Sequence, residues 1–211
     1  MRILALDCTQ GSCSAAYFDG RKVVSEQVEE MEHGQAERLI PMMQEVLTAS
    51  KVSFQDIECV AVTTGPGSFT GVRVGLAAAD GIALAANLPM VGISVLDVLA
   101  WKVYKQHPEL KRVCLVLETK REDYYFQCFE NNKPETEPAV LPAEKIKEWQ
   151  KYTFVGNAAE RLKEELGSLT IVDVPMPTAA DIALFACDKK AQKDFPAPLY
   201  LREAEVTICR K

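Results

Sequence analysis

The order of apolar strands and helices repeats in the two halves of the chain, and this order constrains the fold more than any other feature. The first half begins with three predicted antiparallel strands, at 2–7, 12–18 and 21–30. Strands 12–18 and 21–30 are separated by Asp19-Gly20, a dipeptide typical of hairpin turns. Helices and strands then alternate, at 34–50, 57–65, 68–86, 90–94 and 95–106.

The second half repeats this order. It begins with predicted strands at 113–118 and 123–130 and continues through a proline-containing stretch at 134–142. Alternating helices and strands follow, at 143–150, 152–157, 158–166, 169–174 and 178–192. The pattern predicts an α/β protein with two related lobes and mixed sheets. Because the stretch 106–111 separates the halves, we expect lobes at 1–106 and 107–211.

Charge and apolar content exclude some classes of function. The formal net charge is −6, so we expect no direct, stable binding to a nucleic acid backbone. Apolar runs such as 82–86, and 182–187 with six residues, are far too short for a membrane span, and the start of the chain carries no basic, apolar leader. These features predict a cytoplasmic protein.

The cysteines are predicted to be reduced. Their number is odd, no two form a CxxC pair, and several lie inside apolar runs such as 59–62 and 113–117. Buried thiols in a reducing compartment are the expected state, without a disulfide framework or a zinc site. The seven are Cys8, Cys13, Cys59, Cys114, Cys128, Cys187 and Cys209.

The most specific segment is the glycine-rich run at 64–85, TGPGSFTGVRVGLAAADGIALA. Its first glycines are predicted to end a buried strand in a tight turn, and Ser68 is placed to cap the helix that follows. One face of that helix lacks bulky side chains, so another element can approach its backbone closely. The residues of this face are Gly71, Gly75, Ala79 and Ala83.

The glycine-rich run has three possible roles. A phosphate-binding loop would need Lys-Ser or Lys-Thr after the last glycine, whereas Gly71 is followed by Val72 and Arg73. A corner that packs a helix into the core of its own lobe, and a helix surface for a protein partner, both fit the pattern. The residues alone leave these two open.

The run GPGSFTGVRVGLAAADGIA at 65–83 strongly resembles the hallmark of the TsaB family, also called YeaZ-like proteins. Supporting similarity occurs at 3–16, 35–43 and 199–203. The resemblance implies the duplicated actin-like fold of the acetate and sugar kinase, heat-shock cognate and actin superfamily. It also implies a scaffold without activity of its own, which binds the catalytic paralogue TsaD. With the ATPase TsaE, the pair would attach threonylcarbamoyl to the adenosine beside the anticodon of ANN-decoding tRNAs.

Partner binding is expected on the helices at 35–47 and 68–86. Leu39, Met42, Met43 and Val46 would supply an adaptable apolar surface, or would instead fill the core of the chain. Replacing Met42 or Leu39 by Asp would separate these alternatives, because only a core position would unfold the monomer. Alone, the same surface would favour a homodimer. The predicted partner-binding residues are Glu37, Arg38, Leu39, Met42, Met43, Val46, Gly67, Ser68, Phe69, Gly71, Arg73, Gly75 and Ala79.

Two acids could mark a remnant of a nucleotide site. Asp7 and Glu118 each end the first strand of a lobe, where superfamily phosphotransferases place acids that orient a metal-bound nucleotide. Lys120 and Arg121 could pair with Glu118, and Gly156 could belong to a remnant adenosine-side loop or to an ordinary turn. We interpret the acids as structural or vestigial.

No catalytic residue, metal or cofactor is expected for the chain alone, with ATP or ADP and magnesium only within a complex. His33 and His107 are not spaced as a helical metal pair, which also argues against a metallopeptidase. A stand-alone small-molecule kinase or ATPase is the alternative function, supported by the fold and by Asp7.

Overall fold

The first half of the chain forms a five-stranded mixed sheet. The computed structural model describes residues 1–192 and 194–202. The strands lie in the order β3-β2-β1-β4-β5. Strand β1 is antiparallel to β2 and parallel to β4. Their bounds are β1 Ile3–Asp7, β2 Ser12–Phe18, β3 Val23–Glu30, β4 Cys59–Gly65 and β5 Met90–Ser94.

A six-stranded sheet in the second half repeats this arrangement. Its order is β11-β10-β6-β7-β8, with β9 also paired to β7. Strand β6 is antiparallel to β7 and parallel to β10, just as β1 relates to β2 and β4. The bounds are β6 Arg112–Glu118, β7 Asp123–Glu130, β8 Lys133–Pro134, β9 Ala139–Pro142, β10 Thr153–Val155 and β11 Thr170–Ile171. The predicted α/β class with two related mixed sheets is confirmed.

Six α-helices and two single 3-10 turns connect these strands within the described residues. The helices are α1 Gln35–Ser50, α2 Phe69–Ala86, α3 Val95–Gln106, α4 Ala143–Ile146, α5 Ala159–Leu166 and α6 Ala179–Ala186. The 3-10 turns are Phe54–Asp56 and Lys147–Trp149. Helix α2 begins where the Ser68 hydroxyl accepts a hydrogen bond from the Gly71 amide, at 3.3 Å.

The first sheet is covered by helices on both faces. Successive side chains of β1 point to opposite faces, as strand geometry requires. Leu4 and Leu6 pack against α1 and α2, whereas Ile3 and Ala5 pack against α6. This alternation explains why every residue of β1 is buried.

The last helix does not stay with the second sheet. The predicted boundary near residue 106 falls between the two sheets, but α6 packs on β1 and β2 of the first sheet. Helix α3 contributes Leu96 and Leu99 to the core beneath β6, in the second half. The division into lobes at 1–106 and 107–211 stays a prediction, and α6, from the second of them, packs on the first sheet.

Three predicted elements of the second half are shorter than expected. The helix predicted at 178–192 ends at Ala186, because the segment after it is charged and Gln192 instead pairs with Met90 at the edge of β5. The strand predicted at 169–174 is reduced to β11, before the prolines at 175 and 177. The helix predicted at 143–150 is a single turn, α4, followed by a 3-10 turn.

Two of the cysteines are bonded to each other. Cys114 on β6 and Cys128 on β7 are directly opposite in the antiparallel ladder, with Cα atoms 4.2 Å apart, and they form a disulfide. The prediction of reduced thiols is wrong for this pair, because sequence spacing does not reveal strand register. Cys8, Cys13 and Cys59 are buried free thiols, as expected, and Cys187 is half-buried. Cys209 lies outside the described residues.

Candidate functional site

The small-residue face of α2 packs against the chain's own first sheet. A Cβ atom at Gly71 would lie 1.9 Å from the carbonyl oxygen of Cys8, and one at Gly67 would lie 2.3 Å from that of Thr9. A Cβ at Gly75 would be 3.5 Å from the Val62 side chain, and Ala79 is fully buried. The prediction that Gly67, Gly71, Gly75 and Ala79 contact a partner is therefore corrected. They pack within the chain's own first lobe, Gly67 and Gly71 against the turn after β1 and Gly75 against β4.

The apolar face of α1 is also internal. Its four predicted partner-binding residues are fully buried, in the core that includes Leu4 and Leu6 of β1. The helical spacing correctly identified one apolar face, but such a face packs on whichever apolar neighbour is nearest, and here that is the chain's own sheet. The residues corrected from partner surface to core are Leu39, Met42, Met43 and Val46.

Arg38 on α1 is paired within its own lobe. Its Nε donates to Glu29 Oε1 at 2.7 Å, and its Nη1 donates to Glu45 Oε1 at 2.8 Å. These hydrogen bonds hold the pKa values of both Glu29 and Glu45 below their usual range. Glu37, its neighbour in sequence, is exposed. Arg38 thus joins β3 to α1.

The opposite side of α2 is exposed and mostly apolar. Phe69 and Leu84 are 56% and 75% exposed, and Arg73 and Ala77 are exposed between them along the helix. These four residues, Phe69, Arg73, Ala77 and Leu84, fall on one side at 100° per residue, and we call them the outer face of α2. Ser68 is exposed as well, although its hydroxyl serves as the helix cap.

Sequence reasoning missed Leu84 and also Ile40, which is 43% exposed on α1. Leu84 lies seven residues after Ala77 and therefore on the same side of α2. The spacing of Ala77 and Leu84 can be read from the sequence. It does not identify the exposed side, because apolar residues occupy nearly the whole circumference of the helix.

Helix α2 is the one helix, among the residues described, that is long and apolar enough to cross a membrane. It packs along β4 and β1 and contributes Val72 and Leu76 to the core of the first lobe. A core helix passes the same test of length and composition, so α2 is weak evidence for a membrane span.

Asp7, at the end of β1, is closed in by its own neighbours. Its Oδ1 accepts hydrogen bonds from the Thr9 amide at 3.2 Å, from the Thr9 hydroxyl at 2.6 Å and from the Thr63 hydroxyl. Burial raises the pKa of Asp7, and the hydrogen bonds from Thr63 and Thr9 oppose that rise. The Ser68 amide donates to the Thr9 carbonyl at 2.8 Å, so the loop before α2 fills the space above this turn.

Glu118, at the end of β6, is held by an arginine that the sequence did not single out. Arg161 of α5 donates to Glu118 Oε1 at 2.6 Å, and its guanidinium lies 4.1 Å from the centre of the Tyr124 ring. Lys120 contributes its backbone amide to the same oxygen, at 2.8 Å. Arg161 is 43 residues away in sequence, so only the folding of α5 onto β6 and β7 brings it to Glu118.

The turn that follows Asp7 is hydrogen-bonded to the turn after β10, which also contacts Glu118. Gln10 donates to the Pro66 carbonyl at 2.7 Å and accepts from Asn157 at 3.3 Å, while Asn157 accepts from the Glu118 amide at 2.9 Å. Gly156, just before Asn157, is required for packing, because a Cβ there would lie 2.2 Å from the Val116 carbonyl oxygen. Within residues 1–192 and 194–202, no three His, Cys, Asp or Glu side chains are grouped to hold a metal ion.

Comparison with known proteins places this geometry in a family. Residues 22–196 match the family model of TsaD, described as tRNA N6-adenosine threonylcarbamoyltransferase. The TsaB protein of tRNA threonylcarbamoyladenosine biosynthesis from Escherichia coli K12 is 33% identical, over 96% of this chain and 95% of the relative. The TsaB protein of Buchnera aphidicola (subspecies Schizaphis graminum) is 28% identical, over 87% of this chain and 91% of the relative.

Likeness to a TsaD protein itself covers less of the chain. The threonylcarbamoyltransferase of Erythrobacter litoralis is 44% identical over 62 residues, which are 29% of this chain and 18% of that protein. The likeness that spans the whole chain is therefore to TsaB.

Solved structures agree with the sequence comparison. YeaZ from Pseudomonas aeruginosa superimposes with a TM-score of 0.79 at 25% identity, covering 95% of this chain and 99% of that one. An activator of 2-hydroxyisocaproyl-CoA dehydratase from Clostridium difficile, solved with bound ADPNP, shares the fold with a TM-score of 0.55 at 13% identity, covering 89% and 95% of the two chains. The fold is the duplicated actin-like one, and the chain belongs to the TsaB, or YeaZ-like, family, a branch of the family that the TsaD model describes.

Proposed function

We propose that this chain is a non-catalytic scaffold and activator subunit of tRNA threonylcarbamoyladenosine biosynthesis. It binds the catalytic paralogue TsaD and works together with the ATPase TsaE. The assembly adds threonylcarbamoyl to the adenosine next to the anticodon of ANN-decoding tRNAs. The names of the TsaB relatives support the pathway, and the match to the TsaD model supports a related partner.

The outer face of α2 is the observation that carries the proposal. The solvent side of a surface helix is ordinarily polar, because exposing apolar side chains to water is unfavourable. Here Phe69 and Leu84 expose 56% and 75% of their surface, and Arg73 is the one charged residue of this face. Such a face is typical of protein–protein contact. Ile40 on α1 extends the apolar area of the same helix layer.

The state of the two acids supports a subunit without chemistry of its own. The carboxylate oxygen of Asp7 is occupied by Thr9 and Thr63, and that of Glu118 by Arg161 and the Lys120 amide. A metal-bound nucleotide that used Asp7 Oδ1 or Glu118 Oε1 would have to displace these hydrogen bonds. We therefore assign no metal, nucleotide or other cofactor to the isolated chain, and place ATP, ADP and magnesium within the assembled complex.

The outer face of α2 is also suited to pairing with a second copy of this chain. A partner built on the same fold presents a related helix layer, so a surface that fits the partner also fits a second copy of this chain. We propose that the chain forms a homodimer through α2 when TsaD is absent, and that TsaD displaces the second copy.

The test replaces Leu84 by Asp and measures pairing. Because a buried anchor at an interface contributes about 2 kcal/mol or more, we expect Leu84→Asp to weaken binding to TsaD at least ~30-fold and to yield a monomer. Binding is measured by calorimetry, and self-association by sedimentation.

Val24→Asp is the matched control, since Val24 is 42% exposed but lies on the edge strand β3 and not on α1 or α2. It should pair like the unmodified chain. Leu84→Asp binding TsaD with unchanged affinity would show that α2 is not the docking surface.

A further inference from the structure

Arg73 is held in one orientation at the beginning of the outer face of α2. Its guanidinium carbon lies 3.7 Å from the centre of the Phe69 ring, within the range of a cation–π contact. Its Nε donates a hydrogen bond to the Tyr200 hydroxyl at 2.9 Å. The rings of Phe69 and Tyr200 are 5.5 Å apart and tilted by 32°, so the guanidinium adjoins two neighbouring rings.

Tyr200 is itself anchored, although it lies near the end of the described chain. The Leu199 amide donates to the Thr64 carbonyl at 2.8 Å, next to the loop that leads into α2. Arg202 pairs with Asp123 of the second sheet. The segment 199–202 therefore bridges the two lobes, and it presents the Tyr200 hydroxyl to Arg73 from a fixed position.

The terminal nitrogens of Arg73 have no acid to bind within residues 1–192 and 194–202. Other arginines of the chain do have one: Arg38 pairs with Glu29 and Glu45, Arg112 with Glu130, and Arg161 with Glu118. Arg21, in the β2–β3 turn, also has no carboxylate partner for its side chain within these ranges, but of the two only Arg73 stacks on an aromatic ring. The hydrogen bond to Tyr200 uses Nε and neither of the two Nη groups.

We propose that the two Nη groups of Arg73 receive a carboxylate side chain of the docked partner subunit. This inference rests on the proposed function and names the polar anchor of its docking surface. A planar guanidinium binds a carboxylate through two parallel hydrogen bonds, and prior orientation reduces the entropy lost when they form. A charged pair of this kind fixes the register between two apolar helices. Apolar contacts alone specify that register only weakly.

The charge distribution favours a protein carboxylate over a phosphate of RNA. Binding to a nucleic acid backbone requires several basic residues along one surface. The outer face of α2 offers a single cation among apolar side chains, on a chain with a net charge of −6.

The experiment compares four variants for binding to purified TsaD at low and high salt. Arg73→Gln removes the charge, and Arg73→Lys keeps the charge but loses the two-pronged geometry. Both should weaken binding about tenfold or more at low salt, and Arg73→Gln should bind with less dependence on salt than the unmodified chain. Tyr200→Phe removes only the hydroxyl that orients Nε, so a smaller loss is expected. Arg21→Gln, the same charge change in the exposed β2–β3 turn, should have no effect.

Each result decides between the possibilities. Unchanged affinity in Arg73→Gln would overturn the inference, and so would a loss of tRNA binding by the assembled complex with pairing intact, which would indicate a phosphate contact. Full rescue by Arg73→Lys would also overturn it, because a paired guanidinium would then not be required. The Leu84→Asp variant in the same assay separates this failure from that of the proposed function: if it abolishes pairing while Arg73→Gln does not, the docking surface stands and the anchor is wrong.

Discussion

Two glycines, Gly67 just before α2 and Gly71 in its first turn, are required because another part of the backbone lies too close for a side chain. The sequence indicated a face without bulky side chains, and the structure shows what that face meets: the carbonyl oxygens of Cys8 and Thr9, against Gly71 and Gly67. The spacing of small side chains was enough to predict that another element approaches α2 closely. It could not identify that element, because the turn after β1 is 58 to 63 residues earlier in the chain.

Replacing Gly71 by Ala should destabilise the folded chain. The new Cβ would lie 1.9 Å from the Cys8 carbonyl oxygen, so α2 or the turn after β1 must move, and such overpacking costs about 1–3 kcal/mol or more. Gly81→Ala is the matched control on the same helix, because nothing lies within 4 Å of its Cβ position. That change should stabilise by up to about 1 kcal/mol through helix propensity. Urea unfolding measures both, and equal stability of the two variants would contradict the packing described here.

At the scale of elements, sequence periodicity predicted the bounds of α1, α2 and α3 to within one residue. Their apolar spacing is regular, and Ser68 and Ser94 cap the second and third of them. Periodicity did not predict which partner each apolar face meets, since a helix packs equally well on a sheet of its own chain or on a second molecule. Because periodicity does not identify that partner, it also did not predict that the side of α2 with Leu84 is exposed.

Leu39→Asp should unfold the monomer instead of merely preventing pairing. Leu39 is fully buried against the first sheet, where an unpaired carboxylate is unfavourable and where loss of a leucine alone costs about 2–5 kcal/mol. Ile40→Asp, one residue later and 43% exposed, should leave the fold intact. Thermal unfolding followed by circular dichroism tests both variants. A Leu39→Asp monomer that melts at the temperature of the unmodified chain would show that this face is a surface.

For the whole molecule, alternation of strands and helices in each half was enough to predict two related lobes. It could not predict the return of α6 to the first sheet or the Arg161–Glu118 pair, since both depend on contacts between residues far apart in sequence. The segment 199–202 was recognised as a family motif but not as the bridge between lobes that Leu199 and Arg202 form. These contacts join the two lobes through residues of the chain itself.

The central claim is tested most directly by reconstituting tRNA modification from purified TsaD, TsaE and this chain, supplied with tRNA, ATP and an activated threonylcarbamoyl donor. We expect threonylcarbamoyladenosine on an ANN-decoding tRNA only when all three are present, and neither modification nor ATP turnover from this chain alone. Adding Leu84→Asp in place of the unmodified chain should reduce the product to the level seen without it. Undiminished modification in the absence of the chain, or turnover of ATP by the chain alone, would contradict the account.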